Sequence, residues 1–390
     1  MHVTVYERFR DLPVPVRSLF EQAQLRDFYS GTGWYQTLEA TALPADAGLR
    51  IYVAWEGNED RRARVALVLQ TPGALNGSRL GGALARGRTL SGAHNFHTCL
   101  FGPVLAADLD DARPAIWAIC EFIAQEHPRW EVIELNALDA QAPSFEALCT
   151  GLQSAGFAVR RFAHFGSWFD RFDQPSYRDY TKKRGAALRK AFQNYERKAR
   201  KLQQLGKVEF VLYSKPEELD RAFEAYRHII SLSWKDEEHN ESLTGGMFRA
   251  AADIGALRLG ILFLDGQPIA TEVGIVIDGT ATMVKTAYVE ARREASPGAI
   301  VILYTLERLL AEGVKEINFG RDDQDYKRLW LAQRRERWAI AAYRRETLRG
   351  MLMCLRHDAR IGKDALIELV KPLVKPVRDA WRMRRTAVAR

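Results

Sequence analysis

The chain has 390 residues, 47% hydrophobic, 10% aromatic and 27% charged, which gives room for two domains with cores of their own and excludes a disordered polypeptide. No apolar run approaches the roughly 20 residues that a membrane helix needs, and Met1 to Ser30 holds no signal-peptide core. The net charge of +8 sits in two segments: Thr181 to Lys207 carries ten Lys/Arg against Glu196 alone, and Arg344 to Arg390 carries thirteen against five acids.

In chain order, Val16 to Leu38 reads as a helix with Trp34 and Tyr35 near its end. Leu49–Trp55 and Ala63–Gln70 alternate as two strands joined around Gly57-Asn58, and the Gly/Arg/Leu-rich stretch Ala74–Gly92 reads as a loop. Phe96–Leu105 is predicted as a third strand. A helix (Arg113–Gln125), a strand (Trp130–Leu138), a helix (Ser144–Ala155) and a long strand (Phe157–Phe169) follow. The next segment is a basic helix whose Leu188, Phe192, Tyr195, Ala199 and Leu202 form one apolar face under a Lys/Arg surface. After a strand at Val208–Tyr213, Ser214-Lys215-Pro216-Glu217 reads as a capping box for a helix over Glu218–Ser233. Leu257–Leu264, Pro268–Ile277 and Ala281–Val289 are strands linked by Asp265-Gly266 and Asp278-Gly279, both strong hairpin signals. A helix, a strand at Val314–Phe319, a short helix from Gln324 to Trp330 and a strand at Trp338–Tyr343 close the series. The element order repeats. It predicts an α/β fold of two lobes, each a twisted, mostly antiparallel mixed sheet flanked by helices: 1–172, 173–345, and a basic helical tail at 346–390.

Ser296-Pro297-Gly298 opens the helix after Ala281–Val289, with Ser296 as N-cap and Pro297 at the first helical position. Four bare amides and the positive end of the helix dipole would make an anion site there; an ordinary cap with no ligand is the alternative. Cys99, Cys120, Cys149 and Cys354 lie far apart without a CxxC pair, as expected of buried thiols in a reducing cytoplasm and not of a disulfide framework or zinc site. His94 and His97, placed on a strand, would point to opposite faces and could not share a metal. No GxSxG, Walker-type or GxGxxG motif is present, which argues against hydrolase, NTPase and dinucleotide readings.

Several ordered features resemble one family: Ser233-Trp234 closing a helix, Pro268-Ile269-Ala270 in a strand, Lys285-Thr286-Ala287-Tyr288 in the next, Ser296-Pro297-Gly298, and Asn318-Phe319-Gly320-Arg321-Asp322-Asp323-Gln324-Asp325-Tyr326-Lys327-Arg328-Leu329-Trp330. Over about Leu188 to Tyr343 the chain resembles GNAT acyltransferases of the BioF2-like, cellulose-biosynthesis-type branch, related to the two-lobed Fem aminoacyltransferases. It departs from many relatives at Asn318, where they carry Asp, and at Asp322, where they carry Gly. The first lobe resembles the family by element order alone, and its corresponding turn, Asp110-Asp111-Ala112-Arg113-Pro114, sets carboxylates where phosphates would sit.

The resemblance implies an acyl-CoA donor, acetyl-CoA or a longer acyl-CoA, with no metal. Its pyrophosphate would lie on Ser296, Pro297, Gly298 and Ala299 beside Arg292 and Arg293, its pantetheine between Ala281–Val289 and Val314–Phe319. Acyl transfer needs a base for the incoming amine or hydroxyl and an acid for the departing thiolate. Tyr326 is the candidate acid, or a plain core tyrosine. Asp322 and Asp323 are candidate bases, or caps of the following helix. Glu272 is a further base if it faces the cleft, and inert if it faces solvent. Lys285, Tyr288, Trp234, Lys327 and Trp330 are candidate acceptor-binding residues, although tryptophan more often simply packs. The expected activity is N-acylation, of acetyl type, of an amino group on a sugar or small metabolite, in polysaccharide or envelope biosynthesis. The alternatives are a Fem-type transferase using aminoacyl-tRNA and a non-catalytic scaffold of a polysaccharide assembly. The basic helix over 182–201 and the C-terminal tail are candidate surfaces for tRNA or for an anionic membrane, peripheral to the inner membrane; a solvated amphipathic face is the plainer alternative.

Overall fold

The computed structural model describes residues 1–43, 47–57, 61–71, 88–127, 129–174, 176–234, 240–321 and 323–362. Strand β1 (His2–Tyr6) pairs antiparallel with β2 (Leu49–Glu56), and β2 with β3 (Arg62–Gln70). Between β1 and β2 the chain forms two helices, α1 (Val14–Ala23) and α2 (Thr32–Thr41), where the sequence suggested one. The break has a local cause. The Asp27 carboxylate accepts from Ser30 Oγ at 2.8 Å and from the Tyr29 N–H at 3.3 Å, a side-chain turn that competes with helical hydrogen bonding.

Strand β4 is Thr89–Gly92, not Phe96–Leu105, of which only Val104–Leu105 (β5) is extended and paired. Asn95 is responsible: its side chain accepts from the His97 N–H at 2.9 Å and turns the chain. His94 and His97 therefore share a turn rather than a strand. Helix α3 (Arg113–Gln125), β6 (Val132–Leu138), α4 (Pro143–Ser154) and β7 (Phe157–Arg171) complete the first half.

The second half runs α5 (Tyr177–Lys183), α6 (Ala186–Leu205), β8 (Val208–Tyr213), α7 (Leu219–Ser231), α8 (Glu241–Asp253), β9 (Leu257–Leu264), β10 (Gln267–Ile277), β11 (Thr280–Tyr288), α9 (Pro297–Ala311), β12 (Glu316–Asn318) and β13 (Gln333–Arg344). Residues 348–362 add a helix, α10. Helix α8 and strand β1 were not legible beforehand, and the helix expected over Gln324–Trp330 is a single 3-10 turn, Lys327–Leu329. Both hairpin signals hold: Asp265 and Gly266, then Asp278 and Gly279, take φ of 50°, 78°, 45° and 68°. Positive φ at both central residues gives the primed turn that matches strand twist.

The strands join one sheet in the order β1-β2-β3-β4-β6-β13-β7-β12-β11-β10-β9-β8, with β5 beside β3. Each half contributes one parallel pair, β4 with β6 and β11 with β12. Each half also lends its last strand to the other. β13 inserts between β6 and β7, and β7 inserts between β13 and β12.

The largest apolar cluster draws on α1 and α2 from the first half and α7 and α8 from the second, burying Phe20, Trp34, Tyr35, Tyr226 and Phe248. Small residues let α2 and α8 approach. A Cβ on Gly33 would lie 3.0 Å from that of Ala250, and one on Gly246 would lie 2.6 Å from Thr37 Cγ2. Each such buried ring contributes about 1.5–3 kcal/mol, so parting the halves would cost an amount comparable to the net stability of a whole domain, about 5–15 kcal/mol. The halves share a core.

The exchanged strand β7 also carries a polar hub. Asp170 is fully buried and accepts from Tyr180 Oη, Arg184, the Ala332 N–H at 3.0 Å and Gln333 Nε2 at 2.8 Å. A buried carboxylate is tolerated only when its lone pairs are filled this completely.

Candidate active site

Strands β11 and β12 pair at three positions only, Thr280↔Glu316, Ala281↔Ile317 and Thr282↔Asn318. Beyond Asn318 the two chains part, while β11 continues to Tyr288. Gly320 stands where pairing stops, with φ 55°, and a Cβ there would meet the Met283 carbonyl oxygen at 2.5 Å. Only glycine adopts that conformation so close to a neighbouring backbone without strain. Asn318 closes the corner: its Nδ2 donates to Thr282 Oγ1 at 3.0 Å and its Oδ1 accepts from the Gly320 N–H at 3.1 Å. Strand β11 is itself irregular, with a bulge opposite Val273 and Gly274.

Helix α9 begins at the far end of β11. Ser296 occupies the N-cap position in the left-handed region (φ 56°, ψ 47°), and its hydroxyl makes no capping bond to a helix amide. The hydroxyl instead accepts from Lys198 Nζ, which reaches across from α6. Nor are four donors bare: Pro297 has none, the Ser296 N–H bonds Arg293 O at 2.9 Å, and the Ala299 and Ile300 N–H groups bond Ser296 O at 3.1 and 3.3 Å. Among the described residues, the Gly298 amide is the first-turn donor left without a backbone partner. Gly298 lies under the Tyr288 ring, whose Cδ1 would be 2.8 Å from an added Cβ. Ser296, Pro297, Gly298 and Ala299 therefore sit together with Tyr288 and Lys198. Arg292 and Arg293 are exposed on the preceding 3-10 turn, Arg293 within 3.4 Å of Glu290.

Glu272 and Lys285 lie on opposite faces of the sheet, because Glu272 pairs with Thr286 and Val273 with Lys285. Glu272 is 1% exposed, accepts from Thr286 Oγ1, and stands on the face covered by α9. Lys285 Nζ is 5.8 Å from the centre of the Tyr226 ring on α7. Trp234 is exposed just past α7. The chain there joins the end of β11 through the Ser233–Val289 bridge and a 2.9 Å bond from the Glu290 N–H to Leu232 O.

The loop after β12 separates the remaining candidates. Asp322 lies outside the described residues. Asp323 is held by Trp168 Nε1 at 2.6 Å and Arg334 at 2.7 Å, which ties its carboxylate to β7 and β13. Tyr326 is partly exposed at the start of the 3-10 turn. Lys327 is placed differently from an acceptor-binding residue: its buried ammonium donates to Phe319 O at 2.7 Å and to Arg321 O, fixing the loop from within. Trp330 is also not a pocket wall. It is 2% exposed and stacks on Tyr195 at 4.7 Å, while Tyr177 Oη donates to its carbonyl at 2.6 Å. A long amphipathic side chain after an acidic run looks exposed in sequence; tertiary packing drew both inward.

The corresponding helix start in the first half, at α3, is filled by its own side chains: Asp111 accepts from the Arg113 N–H at 3.0 Å and from the Arg113 guanidinium. Among the described residues no group of three or more His, Cys, Asp or Glu is arranged to hold a metal, and all four cysteines are buried thiols. No described helix is long and apolar enough to cross a membrane.

Residues 189–328 match the family described as acetyltransferase (GNAT) domain. Over this segment the chain is similar to GNAT-type acetyltransferase domains. The match takes in the parted strands, the α9 start and the loop through Lys327. In fold the likeness spans both halves. FemX aligns with a TM-score of 0.54 at 9% identity, over 87% of this chain and 97% of its own. The C-terminal domain of a putative lysylphosphatidylglycerol synthetase from Agrobacterium fabrum aligns with a TM-score of 0.51 at 11% identity, over 86% and 93%. No curated protein matches the chain. Lys198 was missed as a site residue. It borders the apolar stripe of α6, but nothing in the sequence links it to a serine 98 positions away.

Proposed function

We propose that the GNAT domain transfers an acyl group, of acetyl type, from acyl-CoA to an amino group on a sugar or small metabolite. The parting of β11 from β12 beside the α9 start carries this reading, because it combines an extended slot with a terminal anion site. The Gly298 amide, the helix dipole and the Lys198 ammonium would hold the pyrophosphate, with Arg292 and Arg293 adding long-range attraction. Exposed backbone on β11 past Thr282 would bond the pantetheine amides.

Glu272 is the stronger candidate base, since it is buried on the face covered by α9, beside the Thr286 hydroxyl. Asp323 is weaker, since a guanidinium and an indole already occupy it. Tyr326 remains the candidate acid for the thiolate. As acceptor-side residues Lys285 and Trp234 are retained, while Lys327 and Trp330 act on the loop.

Calorimetry on the full chain with acetyl-CoA, CoA and aminoacyl-tRNA tests the donor. Acetyl-CoA and CoA should bind, and Lys198→Glu should weaken both. Binding of aminoacyl-tRNA alone would transfer the chain to the aminoacyl-transfer class. With a responsive amine in hand, Glu272→Gln should lower kcat by about 10²-fold or more while CoA affinity holds.

A further inference from the structure

Helix α10 (348–362) is apolar on two sides. One side covers the face of the central strands turned away from α3 and α4. Cys354 packs there with Val132, Ala341 and Tyr343. The helix is fixed in that orientation: Tyr343 Oη is 3.0 Å from His357 Nδ1, Arg160 donates to both oxygens of Asp358 at 2.6 and 2.7 Å, and Arg349 donates to Glu131 at 2.9 Å.

The other side carries Leu348, Met351, Leu352 and Leu355, which are 71%, 47%, 51% and 65% exposed. Steps of three and four residues align them in one stripe about 100° wide, on the side of the helix opposite His357. Single exposed apolar residues are ordinary, but four in a row on a pinned helix form a patch that marks an interaction site. Arg345, Arg356 and Arg360 are exposed beside it, and none has an ion-pair partner among the described residues.

Charge decides what fits. A second copy of the chain would bring the same unpaired arginines to the contact. The chain's own residues 363–390 carry eight Lys/Arg against three acids, so they too would oppose like charge with like. An anionic surface is the complement. We propose that α10 seats the protein on an anionic lipid bilayer. Leu348, Met351, Leu352 and Leu355 enter the boundary between headgroups and acyl chains, and Arg345, Arg356 and Arg360 meet lipid phosphates. The proposal is independent of which acyl donor the GNAT domain uses.

The test is flotation of the full chain with vesicles of phosphatidylcholine alone or containing phosphatidylglycerol, at low and high salt. The chain should float only with the anionic vesicles and be released by salt. The triple variant Leu348→Ser, Leu352→Ser, Leu355→Ser should lose at least about tenfold in vesicle affinity, because methylene burial is removed. All three side chains are exposed, so its thermal melt should match wild type, and that control is read alongside. Three results overturn the proposal: wild type that stays at the bottom of the gradient, a triple variant that floats as well as wild type, or a dimer in solution that the triple variant abolishes.

Discussion

Replacing Gly298 with alanine examines the α9 start directly. The new Cβ would stand 2.8 Å from Tyr288 Cδ1, closer than side-chain carbons approach, and 3.5 Å from Cε1. Pushing a ring aside in a packed site costs about 1–3 kcal/mol. Alanine also returns up to about 1 kcal/mol of helix propensity. Gly298→Ala alone should therefore destabilise by up to about 3 kcal/mol. In a Tyr288→Ala background the clash is gone and the same substitution should be neutral or stabilising. A double-mutant cycle read by denaturant midpoint should give a coupling of about 1–3 kcal/mol. Additivity of the two substitutions would refute the packing described for this turn. The displaced ring should also weaken acetyl-CoA binding in the single variant.

Other consequences are open to measurement. Lys198→Met removes one charge-assisted contact worth about 1.5–3 kcal/mol, so acetyl-CoA affinity by calorimetry should fall by roughly ten- to a hundredfold; an unchanged Kd would take Lys198 out of the site. Asp170→Asn should destabilise by about 3–5 kcal/mol in chemical denaturation, since Arg184 loses its buried counter-charge and the donors on one of the two carboxylate oxygens would face an NH2 group instead; a loss within error would mean the hub is dispensable. Burial, with His164 and Arg321 nearby, lowers His94 from 6.5 to about 4 in the folded chain. The unfolded chain then binds the extra proton between those values. Stability present above pH 6.5 should be lost as pH falls toward 4, by up to roughly 3 kcal/mol. His94→Gln should flatten that part of the profile; parallel curves for variant and wild type would exclude His94 as the cause.

Local chemistry was legible wherever neighbouring residues decide the backbone. The Asp-Gly hairpins, the amphipathic face of α6, the Pro-Gly helix start and the repeat of element order all depend on short-range sterics and periodicity. Where a polar side chain intervened, pattern misled. Asp27 cut one helix into two, and Asn95 turned an apparent strand into a loop.

The sequence by itself established the α/β class and a repeating element order, the resemblance of the second half to GNAT acyltransferases, and the gathering of positive charge on α6 and the C-terminal segment. Only tertiary structure decided that the halves exchange their last strands, that Lys198 supplies the cation at Ser296, that Glu272 and Lys285 face opposite ways, and that Lys327 and Trp330 turn inward. The reason is range. Propensity and periodicity act over a few residues, whereas strand exchange and a lysine clamp join groups tens to hundreds of positions apart, and those contacts exist only once the sheet has closed around them.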